Sequence, residues 1–252
     1  MRGERAQTRS GTQDSVLEQP GVGESAAHTA LTHAAGATPA ERQNDPRLKY
    51  GDVGLFFIAI LAIALACRIA VHIHLLGRAT LLTPPLALQI LVSLSLLAAL
   101  CLIVRVRHGC GVWSLLGWCR PTREYLLLAL FGGAVLAICT DFIARATTPA
   151  SHLIRVWDLL VLGTVLGPLL EESFFRGCLL PVLTRTAGPK LAILGVAVLF
   201  ATFHQVTSLV QWICFVGTGI AYGWIKTRSA STAAAALMHA AYNVGLFFCQ
   251  LR

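Results

Sequence analysis

Residues 53–75 read VGLFFIAILAIALACRIAVHIHL, an apolar run interrupted by one Arg and two His. Apolar runs of about 20 residues recur from here to Leu251, and each can cross about 30 Å of hydrocarbon at about 1.5 Å per residue. Of the 252 residues, 56% are hydrophobic and only 13% are charged, which reverses the balance of a soluble domain. The sequence therefore predicts an all-α fold, a polytopic transmembrane helical bundle.

Seven spans follow from the apolar runs. We place them at residues 53–75, 81–104, 125–144, 157–183, 191–206, 208–225 and 231–251. Residues 1–48 have no apolar periodicity and predict a disordered N-terminal tail, so the transmembrane helical domain is residues 49–252. The tail also lacks the apolar core of a signal peptide, and we expect it not to be translocated.

The net charge of +8 indicates membrane topology rather than a nucleic-acid partner. Residues 1–49 carry six basic and six acidic side chains, so the excess lies in the short connections between apolar runs. Eleven basic residues flank the inner ends if the N-terminus is inside, against five at the outer ends, which favours that orientation. We expect a multi-pass protein of a bacterial inner membrane with a cytoplasmic N-terminus, although the endoplasmic reticulum stays open.

Several polar or small residues receive no catalytic role. Arg68 lies with His72 and His74 near the outer end of the first span, where polar groups reach water, and we assign these three residues no function. Asp141 and Arg145 predict a plain i,i+4 ion pair. The eight cysteines show no CxxC spacing and are interpreted as small apolar residues.

Two short segments are given structural interpretations. Residues 111–118 carry two Trp and predict a stretch at the inner interface, with an ordinary loop as the equal alternative. Gly217, Gly219 and Gly223 have the spacing that lets two helices approach closely. A role for these glycines in making room for substrate is the second possibility.

The fourth span contains residues 167–177, GPLLEESFFRG, which place two carboxylates and a guanidinium within a turn and a half of helix. Each ionisable group at membrane depth costs roughly 2.5–3.5 kcal/mol, so each is a functional candidate. Glu172 and Arg176 are i and i+4 in the order that favours an ion pair. Glu171 lies about 100° around the helix, free to face another helix as a general base.

Two further spans carry polar residues of the same kind. His204 closes the fifth span, and the seventh contains His239 and Asn243 at i and i+4, which predicts two hydrogen-bond donors on one helix face. An oxyanion forming on a peptide carbonyl needs such a pair. From the inner span ends, Glu171 lies about 18 Å deep, His204 about 20 Å and His239 about 12 Å, so the three can meet in one cavity.

The three motifs resemble the CAAX protease and bacteriocin-processing family of glutamate-type intramembrane endopeptidases, related to the Ras-converting CAAX prenyl protease. Glu171-Glu172 with Arg176 looks like the family's EExxxR element, Phe200 with His204 like FxxxH, and His239 with Asn243 like HxxxN. The motif region is residues 157–250. The family commonly has eight helices, so an eighth span is the alternative to seven.

The resemblance implies a metal-free hydrolase in which Glu171 and His204 position and deprotonate a water that attacks a peptide carbonyl. His239 and Asn243 would stabilise the oxyanion, and Glu172 and Arg176 would support the site. The implied substrate is a membrane-associated peptide or protein, either lipidated or carrying a leader or sorting signal.

Two other functions stay open from the sequence. Glu171, His204 and His239 could supply three ligands to a zinc ion, although there is no HExxH pair and Asn243 suits an oxyanion site. A transporter or membrane scaffold could also hold buried charges. No internal repeat of the kind found in transporters is apparent.

Overall fold

The computed structural model describes residues 47–72, 86–109, 111–147, 162–204 and 208–250. The predicted tail lies outside the described residues apart from its last two positions. The start of the fourth predicted span and His74 also lie outside them. The described helices belong to a compact unit that begins at Pro46.

Every described element is helical, as the composition predicts. In chain order the helices are α1 Tyr50–His72, α2 Leu86–His108, the short α3 Val112–Leu115, α4 Arg123–Thr147, π-helix π1 Leu162–Leu166, α5 Gly167–Glu172, π-helix π2 Ser173–Leu179, α6 Leu180–Phe203, α7 Leu209–Ser229 and α8 Thr232–Gln250.

Five segments in the described part of the chain are long and apolar enough to cross a membrane: Tyr50–Ala70, Leu88–His108, Arg123–Arg145, Leu162–Phe203 and Thr232–Cys249. The fourth has 42 residues. At about 1.5 Å per residue it would be about 63 Å long, twice the thickness of the hydrocarbon. The protein is therefore an integral multi-pass membrane protein.

Gly188 divides this long segment into two helices. Its φ of 76° and ψ of 163° are not helical and suit only glycine, and Pro189 follows it. The predicted fourth and fifth spans thus appear as residues 162–187 and 189–203. The predicted sixth span corresponds to α7, which is not among the five apolar segments because polar residues and a Lys lower its hydropathy.

The helices that carry the predicted motifs pack through small residues. The contact between α4 and α8 is the most extensive in the fold, and there the backbone at Gly133 lies against Met238 and Ala241. The next largest contact joins α6 and α7, where Gly219 meets Ala197 and Gly223 meets Ile193. The predicted close approach is confirmed at these two glycines, whereas Gly217 has open space around it.

The lipid-facing surface is apolar. Side chains such as Ile58, Leu61, Leu102, Phe131 and Phe142 are more than half exposed, and water would not tolerate so many on one molecule. Hydrocarbon accepts them without cost. Glu172, Arg176 and His239 are instead buried between helices.

Polar contacts join the helix ends. Asp52, buried near the start of α1, accepts a hydrogen bond from Nε of Arg107 and lies 3.0 Å from Nε2 of His108 at the end of α2. The predicted pair of Asp141 and Arg145 is confirmed at 2.7 Å. The seven cysteines within the described residues are free thiols.

The segment between α2 and α4 contains the short helix α3 and packs against other helices. After the single turn of α3, Leu116 is fully buried and its carbonyl accepts a hydrogen bond from the Thr232 hydroxyl at 2.6 Å. The Trp118 indole donates to Oγ of Ser173 in π2 at 2.9 Å. This segment therefore fixes the first residues of α8 and of π2.

We predict that Gly133→Ala destabilises the bundle by about 1–3 kcal/mol, because the added Cβ would lie 2.3 Å from the Met238 carbonyl oxygen and force α4 and α8 apart. Gly195→Ala is the control, since a Cβ there meets nothing within 4 Å and alanine favours a helix. Thermal unfolding in detergent micelles measures both. Equal thermal unfolding midpoints for the two variants would contradict the close packing of α4 against α8.

Candidate active site

Glu171 and His204 face each other across the space between α5 and the end of α6. Oε2 of Glu171 lies 3.8 Å from Nε2 of His204, and both side chains are partly exposed, at 31% and 26%. The Glu171 Oε2 atom itself is buried and has no hydrogen-bond partner among the described residues. A gap of this size between two polar atoms is the kind that a bridging water fills.

The end of α6 sets the orientation of the His204 ring. The helix stops at Phe203, and His204 has extended backbone angles, φ −82° and ψ 132°. The carbonyls of the last turn then lack helical partners, and Nδ1 of His204 lies 2.7 Å from the Phe200 carbonyl oxygen. Since a carbonyl only accepts, Nδ1 carries the proton, and in the neutral ring Nε2 offers a lone pair toward Glu171.

Glu172 lies at the centre of a second, buried group. Its Oε1 accepts from Nη1 of Arg176 at 2.9 Å and lies 2.9 Å from Nδ1 of His239. Glu172 and Arg176 are fully buried, and His239 is nearly so. The ion pair predicted from the i,i+4 spacing is confirmed, and it extends to the seventh predicted span.

Arg176 is held by more than its carboxylate. Nη2 donates to the Gly219 carbonyl in α7 at 2.9 Å, and the guanidinium lies over the rings of Phe200 and Tyr222, 4.6 Å and 5.2 Å from their centroids. These cation–π contacts replace part of the hydration that the buried charge has lost. Arg176 thereby links π2, α6 and α7.

The contact with Glu172 determines which nitrogen of His239 is available. A carboxylate accepts hydrogen bonds, so Nδ1 of His239 carries a proton. The ring stacks on Tyr222 with centroids 4.9 Å apart and an angle of 18°, which fixes its plane. Nε2 is then an acceptor in the neutral ring or an N–H donor in the imidazolium.

Asn243 lies one turn further along α8. Its side-chain amide donates to the carbonyl of Gly163 in π1. An amide nitrogen has two N–H groups, so one donor is left for a ligand. The two donors predicted from the sequence, His239 and Asn243, therefore share a helix face. Each already makes one hydrogen bond to the protein, His239 to Glu172 and Asn243 to the Gly163 carbonyl.

One cavity brings the four predicted catalytic residues together. It has a volume of about 870 Å³, and Glu171, His204, His239 and Asn243 all line it. A second cavity of about 320 Å³ is mainly aromatic and aliphatic, and it shares with the first Ile60, Leu96, Glu171, Phe203 and His204. The bundle thus contains a partly polar chamber and a mainly apolar side pocket, and both are lined by Glu171 and His204.

The sequence interpretation missed the opposite wall of the cavity. Arg68 of α1 lines it, as do Gln89 and Ser93 of α2. Arg68 was assigned no role, because a charged side chain near the end of a span can reach water. The signal for Gln89 and Ser93 was their i,i+4 spacing inside an otherwise apolar run, which puts two polar groups on one helix face.

The zinc site left open by the sequence would use Glu171, His204 and His239. No three His, Cys, Asp or Glu side chains of residues 47–72, 86–109, 111–147, 162–204 and 208–250 are grouped as a metal ion would require. Nδ1 of His239 already contacts Oε1 of Glu172.

Comparison with known proteins gives a family for the same part of the chain. The family model described as "Type II CAAX prenyl endopeptidase Rce1-like" matches residues 153–245, which include all three motifs. No curated protein and no solved structure matches the chain. Over these residues the match supports the family predicted from EExxxR, FxxxH and HxxxN.

We predict that Arg176→Met destabilises the protein by about 3–5 kcal/mol, because it leaves the Glu172 carboxylate buried without its cation. Arg145→Met is the matched control, since it breaks the exposed i,i+4 pair with Asp141 and should cost at most about 1 kcal/mol. Chemical unfolding in detergent gives both values. A similar loss of unfolding free energy in the two variants would mean that the buried ion pair does not stabilise the protein.

Proposed function

Because residues 153–245 belong to the Rce1-like family of type II CAAX prenyl endopeptidases, which are proteases, we propose that this membrane protein is an intramembrane endopeptidase whose attacking water lies between Glu171 and His204. The observation that carries the proposal is the 3.8 Å separation of Glu171 Oε2 and His204 Nε2 within a cavity large enough for a peptide.

The two residues activate the water as a pair of acceptors. The water donates one hydrogen to the Glu171 carboxylate and the other to Nε2 of His204, which leaves an oxygen lone pair directed into the cavity. Glu171 takes the proton as the water attacks the peptide carbonyl, and the proton then passes to the leaving amine. The Phe200 carbonyl supports this role, because it holds the proton of His204 on Nδ1.

His239 and Asn243 serve as oxyanion donors in the same proposal. Nε2 of His239 donates when the ring is an imidazolium, with Nδ1 directed at the Glu172 carboxylate. The free N–H of Asn243 is the second donor. Glu172 and Arg176 support both by fixing the ring of His239. The chemistry needs no metal and no cofactor, since base and donors come from side chains.

The substrate is a membrane-associated peptide, lipidated or carrying a leader or sorting signal. The side pocket supports the lipidated class, because Leu170, Phe174 and Phe175 line it beside Glu171 and could receive an apolar chain. We place the enzyme in a bacterial inner membrane with its N-terminus in the cytoplasm, which the distribution of basic residues supports.

Removing the base tests the proposal. Glu171→Gln keeps the size and shape of the side chain, and we predict that it lowers kcat by about 10²–10⁴-fold while thermal stability stays unchanged. Cleavage of a quenched prenyl-cysteine peptide by purified protein in detergent measures kcat. Glu124→Gln, an exposed carboxylate near the start of α4, is the control and should retain full activity.

Two results would overturn the proposal. If Glu171→Gln retains the biological activity of the protein in cells, the chain acts as a scaffold. If activity disappears in excess chelator and returns with zinc, the water is activated by a metal. Full activity in chelator with no metal detected by elemental analysis is the expected result.

The oxyanion role predicts a graded pattern. Asn243→Ala should lower kcat by about 10²–10³-fold, the usual loss of one such donor, with KM little changed. His239→Gln keeps an N–H donor near the same point and should lose less than His239→Ala. Steady-state kinetics on the same peptide distinguish this pattern. If His239→Gln is as inactive as Glu171→Gln, His239 is a base and not a donor.

A further inference from the structure

Helix α7 carries none of the motif residues, yet one of its faces contacts a residue of every motif. Phe215, Gly219 and Tyr222 are at i, i+4 and i+7, which places them on the same side of the helix. The two rings lie against the histidines of FxxxH and HxxxN, and the Gly219 carbonyl accepts a hydrogen bond from the arginine of EExxxR. Their partners, in the order of the chain, are His204, Arg176 and His239.

The imidazole of His239 is held at one nitrogen and on one face. Nδ1 lies 2.9 Å from Oε1 of Glu172. An sp² oxygen accepts over a broad range of directions, and the Cβ–Cγ torsion of histidine has broad preferences, so this contact alone restricts the ring only in part. The Tyr222 ring lies 4.9 Å away between centroids and is inclined by 18°, which restricts the rotation that remains. Nε2 is thereby held toward the cavity that His239 lines.

The His204 ring is held in the same way. Its Nδ1 lies 2.7 Å from the Phe200 carbonyl oxygen. The rings of Phe200 and Phe215 both lie 4.4 Å from the His204 ring between centroids, inclined by 49° and 34°. Because α6 ends at Phe203, no regular helix orients this side chain, and packing between the two rings restricts it. Each histidine therefore has one contact at Nδ1 and one aromatic ring from α7, which leaves Nε2 for the reacting atoms.

The part of Tyr222 that makes these contacts is its ring. Tyr222 is fully buried and is not among the described residues that line the two cavities, so it does not touch a ligand there. Its hydroxyl has no hydrogen-bond partner in the part of the chain that the structure describes. The ring, by contrast, lies against both His239 and the Arg176 guanidinium.

We propose that Phe215 and Tyr222 are positioning residues, which hold the rings of His204 and His239 with Nε2 directed at the reacting atoms. The proposal rests on the proposed function, because it assigns to α7 the orientation of the residues that perform that reaction. Neither aromatic residue transfers a proton. A displacement of about 1 Å in a reacting group can lower a rate by about a hundredfold, so loss of a ring should lower kcat more than it raises KM.

The first test removes the ring of Tyr222. In Tyr222→Leu we expect kcat to fall by about tenfold to a hundredfold with KM changed by less than about threefold, measured on the prenyl-cysteine peptide. Tyr222→Phe keeps the ring and should keep most of the wild-type kcat. Trp224→Leu is the matched control, since Trp224 is an aromatic residue of the same helix that is 43% exposed, and it should have the wild-type kcat. An equal loss of kcat in Tyr222→Phe and Tyr222→Leu would overturn the proposal.

A double-mutant cycle separates positioning from general damage to the fold. In the His239→Ala background, Tyr222→Leu should lower kcat by no more than about twofold, because the ring that it positions is already gone. The full loss in both backgrounds would overturn the proposal. Phe215→Leu in the His204→Ala background is the second cycle, with the same expectation. Phe215 is only partly buried, so this cycle decides the matter if Tyr222→Leu does not fold.

The orientation of the ring can also be measured without turnover. In histidine-labelled protein in detergent micelles, the ring current of Tyr222 displaces the proton resonances of His239, which His239→Ala assigns. Tyr222→Leu should move these resonances and Tyr222→Phe should not. This result supports the positioning role even if the wild-type protein cleaves no peptide, in which case the proposed function alone fails. Resonances that stay unchanged in Tyr222→Leu would overturn the positioning role, whatever the protein cleaves.

Discussion

Glu172 places a single carboxylate oxygen against both Arg176 and His239 in the middle of the bundle, and the rest of the site depends on this contact. Desolvating a carboxylate and a guanidinium is expensive, and their attraction offsets that cost only when the geometry is good and the remaining donors are used. The Gly219 carbonyl and two aromatic rings supply further contacts, whereas Nε of Arg176 and Oε2 of Glu172 have no hydrogen-bond partner among the described residues. Because the partners come from π2, α6, α7 and α8, the charged group fixes four segments relative to one another, and with them the side chains that border the cavity.

The neighbouring glutamates show how one turn of helix can hold two different environments. Glu172 points into protein and is fully buried, whereas Glu171 borders the chamber and is 31% exposed. Adjacent residues lie about 100° apart around a helix, which separates the two carboxylates, and the π-helix that follows buries Arg176 and both phenylalanines. His204 reaches the chamber for a different reason: α6 has ended, and its side chain binds a carbonyl that the helix leaves without a partner. The adjacent glutamates thus face different partners. Glu172 contacts Arg176 and His239, and Glu171 faces His204.

Much of the site followed from spacing. The buried pair of Glu172 and Arg176 came from i,i+4 geometry, and the convergence of Glu171, His204 and His239 came from helical rise. The sequence could not predict that His239 contacts Glu172 instead of Glu171, because periodicity fixes the face of a helix but not the rotation of its neighbour. The break at Gly188 was expected as a connection, but its backbone angles depend on packing. Arg68 was missed because apolar periodicity cannot show which side of a lipid-exposed helix borders a chamber.

The cavity wall has two origins along the chain. Glu171, His204, His239 and Asn243 lie within residues 153–245, whereas Ile60, Arg68, Gln89 and Ser93 come from α1 and α2, outside the family match. The machinery that would break the bond is therefore encoded separately from the surface that would hold the ligand. Substitutions in the first two helices can retune ligand preference without disturbing the buried charges. Such a division lets the part of the cavity wall in α1 and α2 change while the motif residues stay the same.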